Sequence, residues 1–305
     1  MILTPTKLII IAVYVCSILF VHFRGRARLS FGRQLTDHST FMAPINAVMY
    51  LFSKVPNRPY IPVSSFKELT LLQSHWEEIR EEAIALARQG DIKASARYDD
   101  AGFNSFFKTG WQRFHLKWYT DAPHPSAAAL CPKTVALLQQ LPSIKAAMFA
   151  SLPPGARLVR HRDPFAGSLR YHLGLLTPND DRCFIEVDGE RYSWRDGQGV
   201  MFDETYLHHA ENTTDKPRII LFCDVERPLG NRLAVAFNRF VSSFLLAAAS
   251  SPNKEGDPTG GINRAFGTVQ KFRLKAKALK ERDRTLYYVL KWLLLGGLVA
   301  WWLWP

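Results

Sequence analysis

Three textures of apolar and polar positions follow one another along the chain. From Ala147 to Val225 the apolar runs are short, often alternate with a period of two, and are separated by turn residues. This pattern predicts β-strands over 147–151, 156–161, 169–176, 182–187, 191–194, 198–203 and 217–225. Asp188-Gly189 falls between "RCFIEV" and "RYSW" as a hairpin turn, and Asp196-Gly197 marks another. Upstream, Ser65–Gln89 reads as an amphipathic helix closed by Gly90, Pro132–Leu141 as a second helix, and 103–120 as aromatic and strand-like. Many short, mostly antiparallel strands imply a small barrel or jelly roll with the longer helices outside, an α+β fold.

The two ends carry the third texture. Leu8–Phe23 holds no acid and one weak base. It is near the short end for a bilayer span, but Met1–Thr6 can extend it and Lys7 can snorkel. A cleaved signal peptide fits poorly, because four arginines follow where a small-residue cleavage site belongs. Leu286–Trp304 is again apolar, with Lys291 as its one charge. Tyr287 and Tyr288 stand at one end and Trp301, Trp302 and Trp304 at the other, as an interfacial belt would place them. Phe41–Phe52 is apolar but too short to span, which suits an interfacial helix or the wall of an apolar tunnel. A linker with Pro56, Pro59 and Pro62 follows it. Gly230–Ser250 reads as an apolar helix interrupted by Asn238 and Arg239, lying either against a membrane or on the barrel.

Charge gives these ends an orientation. Of a net charge of +12, nine come from Arg24, Arg26, Arg28 and Arg33 together with Lys271–Arg284. Both basic flanks face the middle of the chain. The positive-inside rule therefore puts Arg24–Pro228 and Lys271–Arg284 in the cytoplasm, with Met1 and Pro305 outside. Basic runs beside apolar spans suit anionic lipid head groups rather than nucleic acid. The four cysteines form no CxxC pair, so neither a zinc site nor a disulfide framework is indicated.

The candidate chemistry lies in "RHRDPFAGSLRYHLGLL", residues 160–176. On a strand, residues two apart share a face, so His161 would point with Asp163, and Arg170 with His172. His208 or His209, 47 residues on from His161 in the first case, can supply a second imidazole. Two histidines and a carboxylate with open positions suit a non-haem iron(II) centre. Arg218, ten residues after His208, can clamp a carboxylate with its planar fork. His75-x-Glu77 has the spelling of a metal pair too, but two residues apart on a helix diverge by about 200°. "HRD" also opens a kinase catalytic loop, but Ser168 stands where that loop needs Asn.

The run H-x-D-P…L-R-x-H-L-G-L, followed by F-D-x-x-x-x-H…R-x-I-x-x-x-D-V, resembles the aspartyl/asparaginyl β-hydroxylase superfamily of Fe(II)/2-oxoglutarate oxygenases over about Phe149–Pro228. The resemblance implies a double-stranded β-helix, with iron(II) on His161 and His208 and 2-oxoglutarate on Arg170, His172 and Arg218. Some peptide-modifying members have glycine at the position of Asp163, so a carboxylate here implies a complete triad. A cosubstrate-holding serine of some relatives falls at Ala150, with Ser151 one place off. The family spacing favours His208 over His209.

With both apolar ends and "VHFRGRARLSFGRQLTDHSTFMAP", the whole chain looks like the bacterial lipid A 2-hydroxylases. That likeness implies O2-dependent hydroxylation of the α-carbon of a lipid A acyl chain at the cytoplasmic face of the inner membrane. The expected organisation is an anchor over 1–30, a linker and apolar segment over 31–64, and an oxygenase domain over 65–228 with its core at 147–228. A helical basic region over 229–284 and a C-terminal membrane segment over 285–305 complete it. A membrane-tethered peptide β-hydroxylase and a non-catalytic lipid-binding barrel remain as alternatives.

Overall fold

The computed structural model describes residues 4–95 and 99–303. Met1, Trp304 and Pro305, invoked above for the anchor, the aromatic belt and the topology, lie outside the described residues. The helices are α1 (Pro5–Phe23), α2 (Phe31–Leu35), α3 (His38–Leu51), α4 (Thr70–Ser74), α5 (Trp76–Arg88), α6 (Asn104–Phe107), α7 (Pro125–Leu130), α8 (Pro132–Gln139), α9 (Arg232–Val241), α10 (Gly261–Arg282) and α11 (Arg284–Leu303). The strands are β1 (Tyr60–Ile61), β2 (Gln112–Trp118), β3 (Ile144–Leu152), β4 (Arg157–His161), β5 (Ser168–Leu176), β6 (Cys183–Val187), β7 (Glu190–Ser193), β8 (Gly199–Phe202), β9 (His208–Asn212) and β10 (Arg218–Glu226).

They form two facing antiparallel sheets, one ordered β1-β8-β5-β10-β3-β2 and the other β4-β9-β6-β7. This is a jelly roll. Strand parity sorts the residues of the larger sheet. Leu169, Tyr171, Leu173 and Leu175 of β5, with Ile219, Leu221, Cys223 and Val225 of β10, face the helices and pack with Ile79, Ala83 and Leu86 of α5. The alternate positions, among them Ala146, Met148, Ala150, Ile220 and Phe222, face the smaller sheet. Because both faces are covered, β5 and β10 are buried over eight of their nine residues each. Each large apolar side chain so enclosed contributes about 1.5–3 kcal/mol.

All seven sequence-predicted strands are present within a few residues of their expected ends. At 103–120 the chain instead makes the short helix α6, reverses at Gly110 (φ +92°) and only then enters β2. The helix expected over Ser65–Gln89 is broken at His75, where α4 ends and α5 begins. His75 Nδ1 lies 2.9 Å from the Leu71 carbonyl, so that ring closes a helix turn. Strand β9 went unpredicted, because "HHAEN" lacks β-branched or alternating apolar residues. Pairing with β4 on one side and β6 on the other makes it a strand. The Asp188-Gly189 hairpin is as expected, with both residues at positive φ.

The segment after α1 is fastened to the barrel. Arg24 lies between the rings of Tyr50 and Tyr206, at 4.1 and 3.9 Å from their centroids, and pairs with buried Asp203. Arg227 Nη2 donates to the same carboxylate at 2.7 Å, and Thr205 Oγ1 to its other oxygen. Burial alone would raise the Asp203 pKa, but the two guanidinium charges hold it well below the usual carboxylate range. A group depressed in this way stabilises the fold above its unfolded pKa and loses that contribution as pH falls through the folded value. Asp203→Ala strands two buried cations. The expected cost is about 3–5 kcal/mol, read as a fall in melting midpoint on the order of 10 °C in detergent. An unshifted midpoint would show that Arg24 and Arg227 are satisfied without the carboxylate.

Candidate active site

The register of the smaller sheet sets His161 of β4 directly opposite His208 of β9. Their rings lie 4.2 Å apart. Asp163 is not on a strand, since β4 ends at His161, yet the loop returns it to the pair. Its amide donates to the Glu204 carbonyl at 2.9 Å, and its Oδ1 stands 3.5 Å from His161 Nε2. One ligand atom from each of His161, Asp163 and His208 falls within 4.8 Å of the others, the one such group of three among the described residues.

Each imidazole is already oriented. His161 Nδ1 is 2.7 Å from the Val159 carbonyl and His208 Nδ1 is 2.9 Å from that of Tyr206. A carbonyl only accepts, so each ring carries its proton on Nδ1 and turns a bare Nε2 toward the centre. Burial lowers both pKa values, that of His208 to about 3, which keeps the imidazoles neutral as a metal requires. For Asp163, burial pulls upward, but the Arg170 guanidinium, backed by the two imidazoles, holds it at about 2. Arg170 Nη2 binds Asp163 Oδ2 at 2.7 Å and leaves Oδ1 for the centre.

Beside this triad lies a cavity of mixed lining. Phe103, Phe106, Trp111 and Leu158 are among its apolar residues, and His172, Trp194 and Arg218 among its polar ones. Both ring nitrogens of His172, Trp194 Nε1 and Arg218 Nε are buried without a hydrogen-bond partner. Arg218 makes a long 3.5 Å contact to the Ala150 carbonyl and meets the Cys183 thiol, and its guanidinium stacks 4.3 Å over Trp194. Burial pushes its pKa down to about 10, so it remains a cation at neutral pH. Unpaired donors at this depth cost free energy unless something accepts from them. A carboxylate bound beside the triad would meet that need.

The candidates do not all converge. Arg170 lines the cavity but is held by Asp163 and, through Nε at 2.7 Å, by Asp224 of β10, while it stacks 3.7 Å over Phe222. Its donors thus orient the triad carboxylate instead of forming the open clamp suggested by the resemblance. Ser151 is not brought in. It lies on the face of β3 opposite Ala150, so strand alternation turns it toward the helices and leaves Ala150 at the cavity. His209 points away from His208, toward Glu186 at 3.8 Å. Trp194 and Asp224 were missed, although Asp224 shares the parity of Arg218, Ile220 and Phe222. Glu204, whose pKa burial raises, was missed as well.

The family model described as Aspartyl/Asparaginyl beta-hydroxylase matches residues 73–228, which contain every one of these side chains. The chain belongs to this family. As a family hydroxylase it is 33% identical over 237 residues to the ornithine lipid ester-linked acyl 2-hydroxylase of Rhizobium tropici, covering 76% of this chain and 80% of that protein. To the aspartyl/asparaginyl beta-hydroxylase of Homo sapiens it is 28% identical over 162 residues, 52% of this chain but 21% of that protein. Among solved structures, a Pseudomonas putida prolyl-4-hydroxylase aligns with a TM-score of 0.33 and 18% identity, over 51% of this chain and 88% of that one. The jelly-roll assignment of this hydroxylase rests on its own strand order.

Proposed function

We propose that this hydroxylase is an Fe(II)/2-oxoglutarate-dependent dioxygenase that hydroxylates the α-carbon (C2) of a fatty acyl chain on a membrane lipid. The observation that carries the reading is the oriented His161–Asp163–His208 triad beside a cavity of unpaired buried donors. His161 Nε2, His208 Nε2 and Asp163 Oδ1 would hold the metal, and Arg218 with His172 and Trp194 would receive a cosubstrate carboxylate. Bound iron(II) would activate O2, the oxidant, one of whose atoms goes to the C–H bond and the other to 2-oxoglutarate, the co-reductant, which leaves as succinate and CO2. The chain contributes position and dryness. Arg170 fixes Asp163, Val159 and Tyr206 fix the two imidazoles, and Phe103, Phe106 and Leu158 exclude water and offer an apolar wall for a hydrocarbon chain.

Three helices among the described residues are long and apolar enough to cross a bilayer: Pro5–Phe23, Arg232–Ala249 and Arg284–Trp302. They support a membrane-bound substrate. The proposed organisation remains anchor 1–30, linker 31–64, oxygenase 65–228, helical basic region 229–284 and membrane segment 285–305, in the inner membrane with the oxygenase facing the cytoplasm. For the lipid, the whole-chain likeness favours lipid A, whereas the name of the Rhizobium relative favours an ornithine lipid. The test is to incubate the full chain in vesicles with iron(II), 2-oxoglutarate and either lipid, or a peptide bearing Asp and Asn. One added oxygen on C2 of an acyl chain, with succinate formed in step, is the expected result. Oxygen on the peptide alone would overturn the lipid reading, and succinate from none would overturn the dioxygenase reading.

A further inference from the structure

Helix α9 has two apolar faces, and the barrel covers one of them. Ala234, Asn238 and Val241 are buried inward. Asn238 Nδ2 donates to the Gly167 carbonyl at 2.9 Å. The approach is so close that a Cβ on Gly167 would stand 2.0 Å from Asn238 Oδ1. A second stripe, roughly 100° round the helix from the first, is Leu233, Phe237, Phe240 and Phe244, exposed by 80%, 36%, 63% and 71%. Their spacing of four, three and four residues puts them on one side of a helix that runs on past Val241 through a wider turn, Ser242–Leu246. The Phe240 and Phe244 rings stack with centroids 6.0 Å apart. A row of this size on a soluble surface marks a place meant to be covered.

We propose that α9 lies flat in the membrane interface, with this stripe seated among the lipids and its inner face holding the catalytic barrel. Four observations select a lipid surface as the occupant. The apolar helix α1 packs on α3, and α3 in turn on α9, so the stripe continues a surface that begins at a span-length helix. On α3, Phe41 and Leu51 are exposed by 70% and 77% and extend the apolar area. Exposed Arg26, Arg28 and Arg33 in the segment after α1, and Arg232 on α9 itself, supply cations for anionic head groups. Length and composition alone would let Arg232–Ala249 cross the bilayer. Crossing would tear Asn238 from Gly167 and bare the inner face to lipid, so the in-plane orientation wins.

This placement also brings the reaction centre to the bilayer. The loop that carries Asp163 is gripped from the membrane-proximal side. Asn46 of α3 donates to the Pro164 carbonyl and accepts from the Ala166 amide, both at 2.9 Å, while Asn238 holds Gly167. An acyl chain leaving the leaflet beside α9 therefore has a short path to the cavity. Drawing a whole chain into water would forfeit the burial of every methylene.

The proposal rests on the reading of α1 as a membrane anchor, and native Cys16 within α1 allows the two to be tested apart. Cys131, Cys183 and Cys223 are buried, so Cys16 is the exposed native thiol available for labelling. The full chain, reconstituted in phosphatidylethanolamine/phosphatidylglycerol vesicles, is labelled at Cys16 with an NBD fluorophore. In a Cys16→Ser background, Leu233→Cys, Phe240→Cys and Phe244→Cys are labelled singly, with Gln89→Cys on the exposed end of α5 as the aqueous reference. The expected result is quenching of all three α9 labels by nitroxide lipids at one shallow depth, with several-fold protection from aqueous iodide relative to position 89. Labels as open to iodide as that at 89 overturn the seating of α9, as does protection that appears only on raising protein concentration, which would mean a second copy covers the stripe. Depth increasing steadily from 233 to 244 overturns it in favour of crossing. A Cys16 label that is also open to iodide overturns the anchor reading itself, whereas a deep Cys16 label with wet α9 labels overturns only the proposal for α9.

Discussion

His208→Ala is expected to abolish hydroxylation while leaving the barrel folded. His208 sits at the middle of the site, buried, opposite His161 and with Nε2 turned to the centre by the Tyr206 carbonyl. Without it, two of the three proposed ligands remain, His161 and the Asp163 carboxylate that Arg170 holds in place. Loss of an orienting partner around a metal ligand typically costs about 10–100-fold in affinity or activity, and loss of the ligand itself should exceed that. The ring is neutral in the fold, so alanine leaves no stranded charge and circular dichroism should be unchanged. Iron retained after desalting and succinate formed per minute are the readouts. His209→Ala is the control, because that ring faces Glu186 and should matter little to either. Near-normal turnover by His208→Ala would move the reaction centre elsewhere. Asp163→Ala asks a narrower question, since full activity there would show that this chain works with two histidines alone.

The second large effect is expected at Arg218. Its guanidinium is buried against Trp194, and Nε has no acceptor. Removing one partner of a buried charge pair costs about 2–5 kcal/mol, which converts to a rise in apparent KM for 2-oxoglutarate of roughly 30-fold or more for Arg218→Met. Arg218→Lys keeps the charge but loses the fork and the flat stack on Trp194, so it should recover only part of that loss. The lipid KM should move little in either variant, because the methylenes of an acyl chain offer a guanidinium no acceptor. Equal shifts in both KM values, or none, would make Arg218 part of the scaffold.

The linear chain carried a good deal of this. Period-two runs in 147–225 gave the strands, because strand faces alternate whatever they pack against. The apolar ends and their basic flanks were legible for a similar reason: the bilayer acts on composition over about 20 residues and needs no fold. His161, Asp163 and Arg218, and one of His208 and His209, stood out because chemistry restricts which residue types can serve, and the family resemblance chose His208, which the fold sets beside His161. Tertiary structure alone decided how those residues share the work. Arg170 became the support of Asp163 because β10 sets Asp224 beside it, a register no local pattern encodes. Ser151 turned away because one residue of parity on β3 reverses its face. Trp194 became a cavity wall, and "HHAEN" a strand, through neighbours more than twenty residues away in the chain. Local sequence fixes periodicity and propensity, while pairing between distant strands selects which face of each residue meets the site.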